Sequence, residues 1–365
     1  MDIAAPTEPA APTQPNDELN WTTFVRFASV DLGAPELKNQ GLTAVWHNYD
    51  ANIERIRLML AVPAITGEVR SLLTNCFDVA KFRITNSLDF TDDWKANEKE
   101  IDALWRVLAN ERIADFNNQL NALKTGDEKN DKRVDLEAIN VIMSGEALIT
   151  SFAQTDKKFR AGMEHFIETS ITSTWTAFEA MAADLWEAAL NIHPQGLASL
   201  NAPLRHHHKI KPRKERDREY DSDQNDNVQK RGDDKTIFLR KLHDNNYDIQ
   251  HKMGSILKYK YSFNTLWNVR KAYLDAFGED STDVYDAIMH ATFDKLSALR
   301  NVIVHNACIC DADYMQDQNN IGGLPKAEKG CKVNINGSYA NDLLIVNQVY
   351  CKHLIQCVDN WINEH

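Results

Sequence analysis

The chain has 365 residues, 43% apolar and 26% charged, with a formal net charge of -12. That length allows two domains, or one large domain with an appended module, and a sizeable core. The acidic balance excludes blanket electrostatic attraction to nucleic acid, although a local basic patch can still bind it, and no run approaches a membrane span.

The opening MDIAAPTEPAAPTQPNDELN, residues 1–20, lacks the basic region and apolar core of a signal peptide and reads as a disordered leader. Six cysteines without an export signal read as reduced thiols, so a cytoplasmic protein is expected.

Residues 21–150 read as a helical N-terminal domain of unassigned role. Trp21–Ser29 is a short apolar-rich segment. Val45, Tyr49, Ile53, Ile56 and Leu60 then recur at spacings of three and four, which predicts an amphipathic helix over Leu42–Val62, stopped near Pro63. A second helix follows from Thr66, and a long third runs from Asp92 and ends by Gly126. Gly126–Arg133, GDEKNDKR, reads as a solvated linker, and the helical pattern resumes at Val134. Nothing in this part specifies a chemistry.

Residues 151–365 read as an all-α helical bundle. Its first helix, Lys157–Asn191, carries the stripe Phe159, Met163, Phe166, Ile167, Ile171, Trp175, Phe178, Met181, Leu185 and Leu190, and closes at HPQG. An aromatic and methionine stripe at this spacing reads as bundle core rather than a cofactor box.

Composition changes at Leu204. The insertion 204–240 is almost free of large apolar residues and cannot form much core. Seven basic residues, Arg205, Lys209, Lys211, Arg213, Lys214, Arg216 and Arg218, stand against two acids before an acidic stretch follows. An RNA-contacting arm, an insertion across a cleft and a solvated loop all fit. His206, His207 and His208 point to metal only weakly, because adjacent side chains on an ordered element diverge.

Periodicity returns with a helix over Ser262–Gly278, and another from Thr282 to Asn306 with the stripe Tyr285, Ile288, Met289, Phe293, Leu296, Leu299 and Ile303. The segment after Cys310 reads as irregular or partly extended, and an amphipathic helix through Trp361 ends the chain.

The stretch SALRNVIVHNACICD, Ser297–Asp311, admits three readings. In the first, Leu299, Val302 and Ile303 are core, and Arg300, Asn301 and His305 are a polar face and C-terminal cap, where cations meet unpaired carbonyls. In the second, His305, Cys308, Cys310 and Cys331 form a metal corner, although one residue between paired ligands is not a strong zinc spacing. In the third, His305 moves protons, Arg300 forks onto a phosphate, and Asn301 orients His305 or contacts the phosphate. On an ideal helix Arg300 and His305 stand about 140° apart, against about 40° for Asn301 and His305. The arginine stem must therefore reach, or the helix must loosen before His305.

Arg300–His305, R-N-V-I-V-H, resembles the signature of the HEPN superfamily: an arginine, usually a polar residue next, then a histidine four to six residues on. The placement is similar as well, near the end of the third main helix of a four-helix bundle, over about the last 210 residues. The resemblance implies a metal-independent endoribonuclease without a cofactor, of the kind found in toxin–antitoxin and anti-phage systems. It implies His305 as general acid/base, Arg300 as phosphate clamp and Asn301 as supporting group, with 2′-hydroxyl attack leaving a 2′,3′-cyclic phosphate. It also implies a homodimer with a composite active site, and an antitoxin or trigger protein as a further partner. The basic residues Arg205–Arg218 would then track the RNA backbone. A non-catalytic RNA- or protein-binding module of the same fold is the alternative.

Overall fold

Helix α1, Gln40–Thr85, is the first element of the computed structural model, which describes residues 32–86, 94–123, 156–198, 200, 237, 239–278 and 281–365. The leader, Trp21–Ser29, the Gly126–Arg133 linker, the helix expected from Val134 and the basic residues Arg205–Arg218 lie outside these. After α1 come α2 (Glu98–Leu123), α3 (Lys157–Ile192), α4 (Pro194–Leu197), α5 (Leu239–Asp244) and α6 (Met253–Leu257). Then follow α7 (Leu266–Phe277), α8 (Thr282–Ile288), α9 (Ala291–Asn306), α10 (Ala312–Asn320) and α11 (Gly337–Glu364). The fold is all-α: among the described residues there is no strand, only an isolated antiparallel bridge between Ile309 and Lys332. No helix among them is long and apolar enough to cross a membrane.

Two expected boundaries are corrected. Pro63 does not stop α1, which continues to Thr85. A proline removes one helical N–H and crowds the preceding turn, but long helical flanks on both sides can carry that single defect. The helix expected over Thr282–Asn306 is two helices, broken at Met289–His290. The break has identifiable causes. His290 leaves helical geometry and its Nδ1 accepts from the Thr292 N–H at 3.3 Å, capping α9. Arg270 of α7 staples both sides: Nε donates to the Ile288 carbonyl at 3.2 Å, and the two terminal nitrogens fork onto Asp294 at 2.7 and 3.0 Å.

The described residues form two compact units. One lies within Leu60–Ile167 and Ile335–Asn341; there Trp105 Nε1 of α2 donates to the Leu73 carbonyl of α1 at 3.0 Å, and Cys76, Ala80, Ile101 and Ala109 are buried. The other lies within Val30–Met59, Glu168–Asn334 and Asp342–His365, so the first half of α1 belongs with the C-terminal helices rather than with the N-terminal part.

The core of this second unit is the expected stripe. Ile171, Trp175, Phe178, Met181, Leu185 and Leu190 of α3 are buried with Phe293, Leu296, Leu299 and Val302 of α9. Ile303 is instead half-exposed, because Val302 takes the inward position. Each fully buried large apolar side chain contributes about 1.5–3 kcal/mol. Polar tips find partners across the packing: Trp186 Nε1 of α3 donates to the Ala272 carbonyl of α7, and Tyr273 hydroxyl of α7 donates back to the Ala182 carbonyl, both at 2.9 Å.

Helix α6 is laid against α3 backbone to backbone. The Asn191 side-chain oxygen accepts from the Gly254 N–H at 2.7 Å, Ser255 hydroxyl donates to Glu187, and Lys258 Nζ donates to Glu187 at 2.8 Å and Asp184 at 3.3 Å. Burial opposes the Glu187 charge, but the bonds from Lys258 and Ser255 outweigh it and hold the carboxyl below its usual range.

The segment 32–39 is fixed to α11 in a similar way. Asp359, itself 2% exposed, accepts from the Lys38 and Asn39 backbone N–H groups and from the Asn39 amide at 2.8–2.9 Å. Lys352 Nζ donates to the Leu32 and Gly33 carbonyls at 2.7 and 3.0 Å.

His290 is also a pH-sensitive joint. Its ring stacks on Tyr350 of α11. Burial, then Lys295, push its pKa below the ordinary value; Asp294 opposes this and His353 adds to it. The neutral form is therefore the one the fold prefers, and its stabilisation is complete above the unfolded pKa of about 6.5. It is lost as pH falls from there through the lower folded pKa. His290→Asn keeps an oxygen for the cap without titrating, so its melting temperature is expected to fall less than that of the wild type between pH 7 and 5 in thermal melts.

Candidate functional site

The last turn of α9 gathers the residues singled out in the sequence. Arg300 and Asn301 are half-buried and His305 is exposed. Arg300 Nη1 lies 3.1 Å from His305 Nε2 and donates to the Asn301 side-chain oxygen at 3.2 Å. Arginine has no acceptor, so a hydrogen bond across this contact needs a lone pair on Nε2, as in the imidazole tautomer that carries its proton on Nδ1. One chain therefore already brings Arg300 to His305, and the angular gap between them does not of itself call for a second chain.

The arginine side chain closes that gap. Its flexible stem extends along the helix to the ring, and the helix ends just beyond His305. The Ala307 N–H bonds the Val302 carbonyl, five residues back rather than four, and Cys308 N–H closes on the same carbonyl at 3.0 Å. These two bonds cap the helix there, satisfying one of its last carbonyls. Ala307 and Cys308 follow in left-handed geometry, with φ of 48° and 64°. A Cβ is unfavourable there, so Ala307→Gly is expected to stabilise the protein by about 0.5–1 kcal/mol, read as a higher denaturation midpoint in urea. His305 would stay in place, since the backbone conformation is unchanged.

The segment after the site forms α10 over Ala312–Asn320, where no helix was expected, and is irregular from Ile321 to Asn336 as expected. Asp311 receives the Asn306 amide at 2.7 Å and caps α10 through the Tyr314 N–H at 2.8 Å. Tyr314 hydroxyl donates to the Pro325 carbonyl at 2.8 Å, and Gln318 makes a two-way pair with the Ala327 backbone at 3.1 Å.

One charged neighbour escaped the sequence reading. Glu179 of α3 is half-buried; burial pushes its carboxyl up, and the Arg300 charge pulls it down without overcoming that. Phe178, next to it, stacks on Phe293 of α9 with ring centroids 4.4 Å apart. The only signal was an acid beside an inward-facing phenylalanine, in a stretch otherwise read as core.

The metal corner does not assemble. No group of three or more histidine, cysteine or carboxylate side chains among the described residues could hold an ion. Cys308 and Cys310 point inward, donating to the Val333 and Ala327 carbonyls at 3.5 and 3.4 Å, while His305 turns outward to Arg300. Cys351 and Cys357 are small core residues, both buried. Burial pushes their thiols up to about 12 and about 11.

No protein family, no curated protein and no solved structure matches this chain.

Proposed function

We propose that the chain is a metal-independent endoribonuclease of the HEPN type, acting in the cytoplasm as a toxin or anti-phage effector. The observation that carries this reading is the 3.1 Å contact between Arg300 Nη1 and His305 Nε2 at an exposed helix end. A neutral imidazole with a bare Nε2 is the form needed to take the proton from a ribose 2′-hydroxyl. When a phosphate enters, the guanidinium turns from the ring to its oxygens, which frees the Nε2 lone pair and sets a fixed charge beside the attacked phosphorus. Asn301 accepts from the same Nη1 through its side-chain oxygen. The protonated ring, or that of a second copy in a homodimer, then protonates the 5′-oxygen, leaving a 2′,3′-cyclic phosphate. An antitoxin or trigger protein would meet the N-terminal part.

The test is expression of the wild type beside His305→Ala and Arg300→Ala, with growth and RNA fragmentation read together. The wild type, once triggered, is expected to arrest growth and fragment RNA, and both variants to do neither. Equal RNA integrity in all three with a trigger supplied sinks the proposal. Arrest lost in the variants without any cleavage in the wild type assigns the site to binding instead.

A further inference from the structure

The cysteines beyond His305, left over from the metal reading, carry a separate inference. Ile309 and Lys332 are directly opposite in an antiparallel bridge, which sets Cys310 opposite Cys331 and Cys308 opposite Val333. The backbone bonds place a bulge there: Cys310 N–H donates to the Cys331 carbonyl at 2.9 Å, while Gly330 N–H donates to the Cys310 carbonyl at 2.8 Å, so Gly330 and Cys331 together face Cys310. Val333 N–H donates to the Cys308 carbonyl at 2.8 Å. Backbones paired in this way run about 4.5–5.5 Å apart, inside the roughly 4.4–6.8 Å that the Cα atoms of a disulfide span. Cys310 and Cys331 are free thiols, and Cys331 is the exposed one of the six cysteines. Cys308 and Cys310 are each 1% exposed, and Cys308 has the core-facing Val333 opposite it.

We propose that Cys331 and Cys310 are a redox modification site, a thiol pair that a hydroperoxide converts to an intramolecular disulfide. The Cys331 thiolate attacks the O–O bond of the hydroperoxide, giving a sulfenic acid and releasing the alcohol, or water from hydrogen peroxide. The Cys310 sulfur then attacks the sulfenic sulfur, losing its proton and expelling water. Two thiols are oxidised by two electrons and one hydroperoxide is reduced. The order follows from the surroundings: burial, then Asp311 and Cys331, push the Cys310 thiol up, so it serves as the resolving group rather than the first to react. The new bond would close a loop around α10 and tie the chain that leaves His305 to the segment preceding α11.

The experiment is peptide mapping of the purified full chain under non-reducing conditions, before and after stoichiometric hydrogen peroxide, with free thiols then blocked by iodoacetamide. The expected product is one peptide pair joining Cys310 to Cys331, lighter by two hydrogens, in a monomer whose other four cysteines are alkylated. Dithiothreitol should reverse it. Cys331→Ser, a change at an exposed position, should leave Cys310 reduced under the same dose. For Cys310→Ser, trapping with dimedone should catch Cys331 as the sulfenic acid at least several-fold more than in the wild type. Wild-type protein in which Cys331 is found only as sulfinic acid, or only bridged to a second chain, overturns the proposal, as does a Cys310 that is oxidised equally in Cys331→Ser. None of these readouts uses RNA, so the inference stands or falls apart from the ribonuclease reading.

Discussion

Replacing His305 with alanine is expected to lower RNA cleavage by the triggered protein about 10²–10⁴-fold, the range a positioned acid/base group supplies. The ring is exposed, so the substitution should move stability by no more than about 0.5 kcal/mol. That makes it the cleaner of the two site variants. Arg300→Ala should cost a similar factor through lost stabilisation of the phosphate charge. It also strips Glu179 of the charge that pulls its carboxyl down. The Glu179 pKa would then rise further above its unfolded value, a cost paid at neutral pH and relieved as pH falls and the carboxyl protonates. Arg300→Lys keeps the charge but loses the fork and should fall between the two. If the residues act as one device, the double alanine variant will be scarcely slower than His305→Ala alone. Single-turnover cleavage of a labelled RNA measures all four. Full activity in His305→Ala would remove His305 from the chemistry.

The largest structural effect is expected from Gly254→Ala. A Cβ on Gly254 would stand 2.1 Å from the Glu187 carbonyl oxygen and 2.8 Å from its carbon, and no flexible side chain is there to yield. Helix α6 would have to lift from α3, breaking the bonds of Asn191, Ser255 and Lys258 to its partner surface. Overpacking of about 1–3 kcal/mol and two or three lost hydrogen bonds at about 1 kcal/mol each give a loss near 3–5 kcal/mol. A drop of roughly 10 °C in melting temperature follows for a unit of this size. Gly162→Ala is the matched control. Nothing lies within 4 Å of its Cβ, and it sits on an exposed face inside α3. The same chemical change is expected there to stabilise by about 0.5–1 kcal/mol. Equal shifts in the two variants would show that the α6–α3 approach is looser than described.

The helices of the second unit were legible because the stripe from Ile171 to Leu190 repeats at a helical period that the order of residues alone reveals. Boundaries set by distant partners were not. The break at Met289–His290 depends on Arg270, about twenty residues earlier, and Pro63 interrupts α1 only in the sense of removing one N–H. At the site, Arg300, Asn301 and His305 were visible as residue types. How Arg300 meets His305 depends on the rotamer of a long, flexible arginine stem, which residue order does not fix. Glu179 was hidden because its role comes from the charge of Arg300 on another helix, whereas Ala177 and Phe178 just before it are core.

Asp359 and Lys352 hold residues 32–39 across a separation of about 320 positions, and Arg57 reaches Gln348 at 3.0 Å in the same packing. On a translating ribosome these links cannot form until α11 has emerged, after Arg300 and His305, which precede Lys352 and Asp359 by about fifty residues. The nascent chain thus carries its reactive pair on an unclosed bundle. Contacts this remote in sequence also slow closure, because the whole intervening chain must be gathered before they repay its entropy. The joining of residues 32–39 to α11 is therefore expected among the last steps of folding, read as late hydrogen-exchange protection of the Lys38 and Asn39 amides.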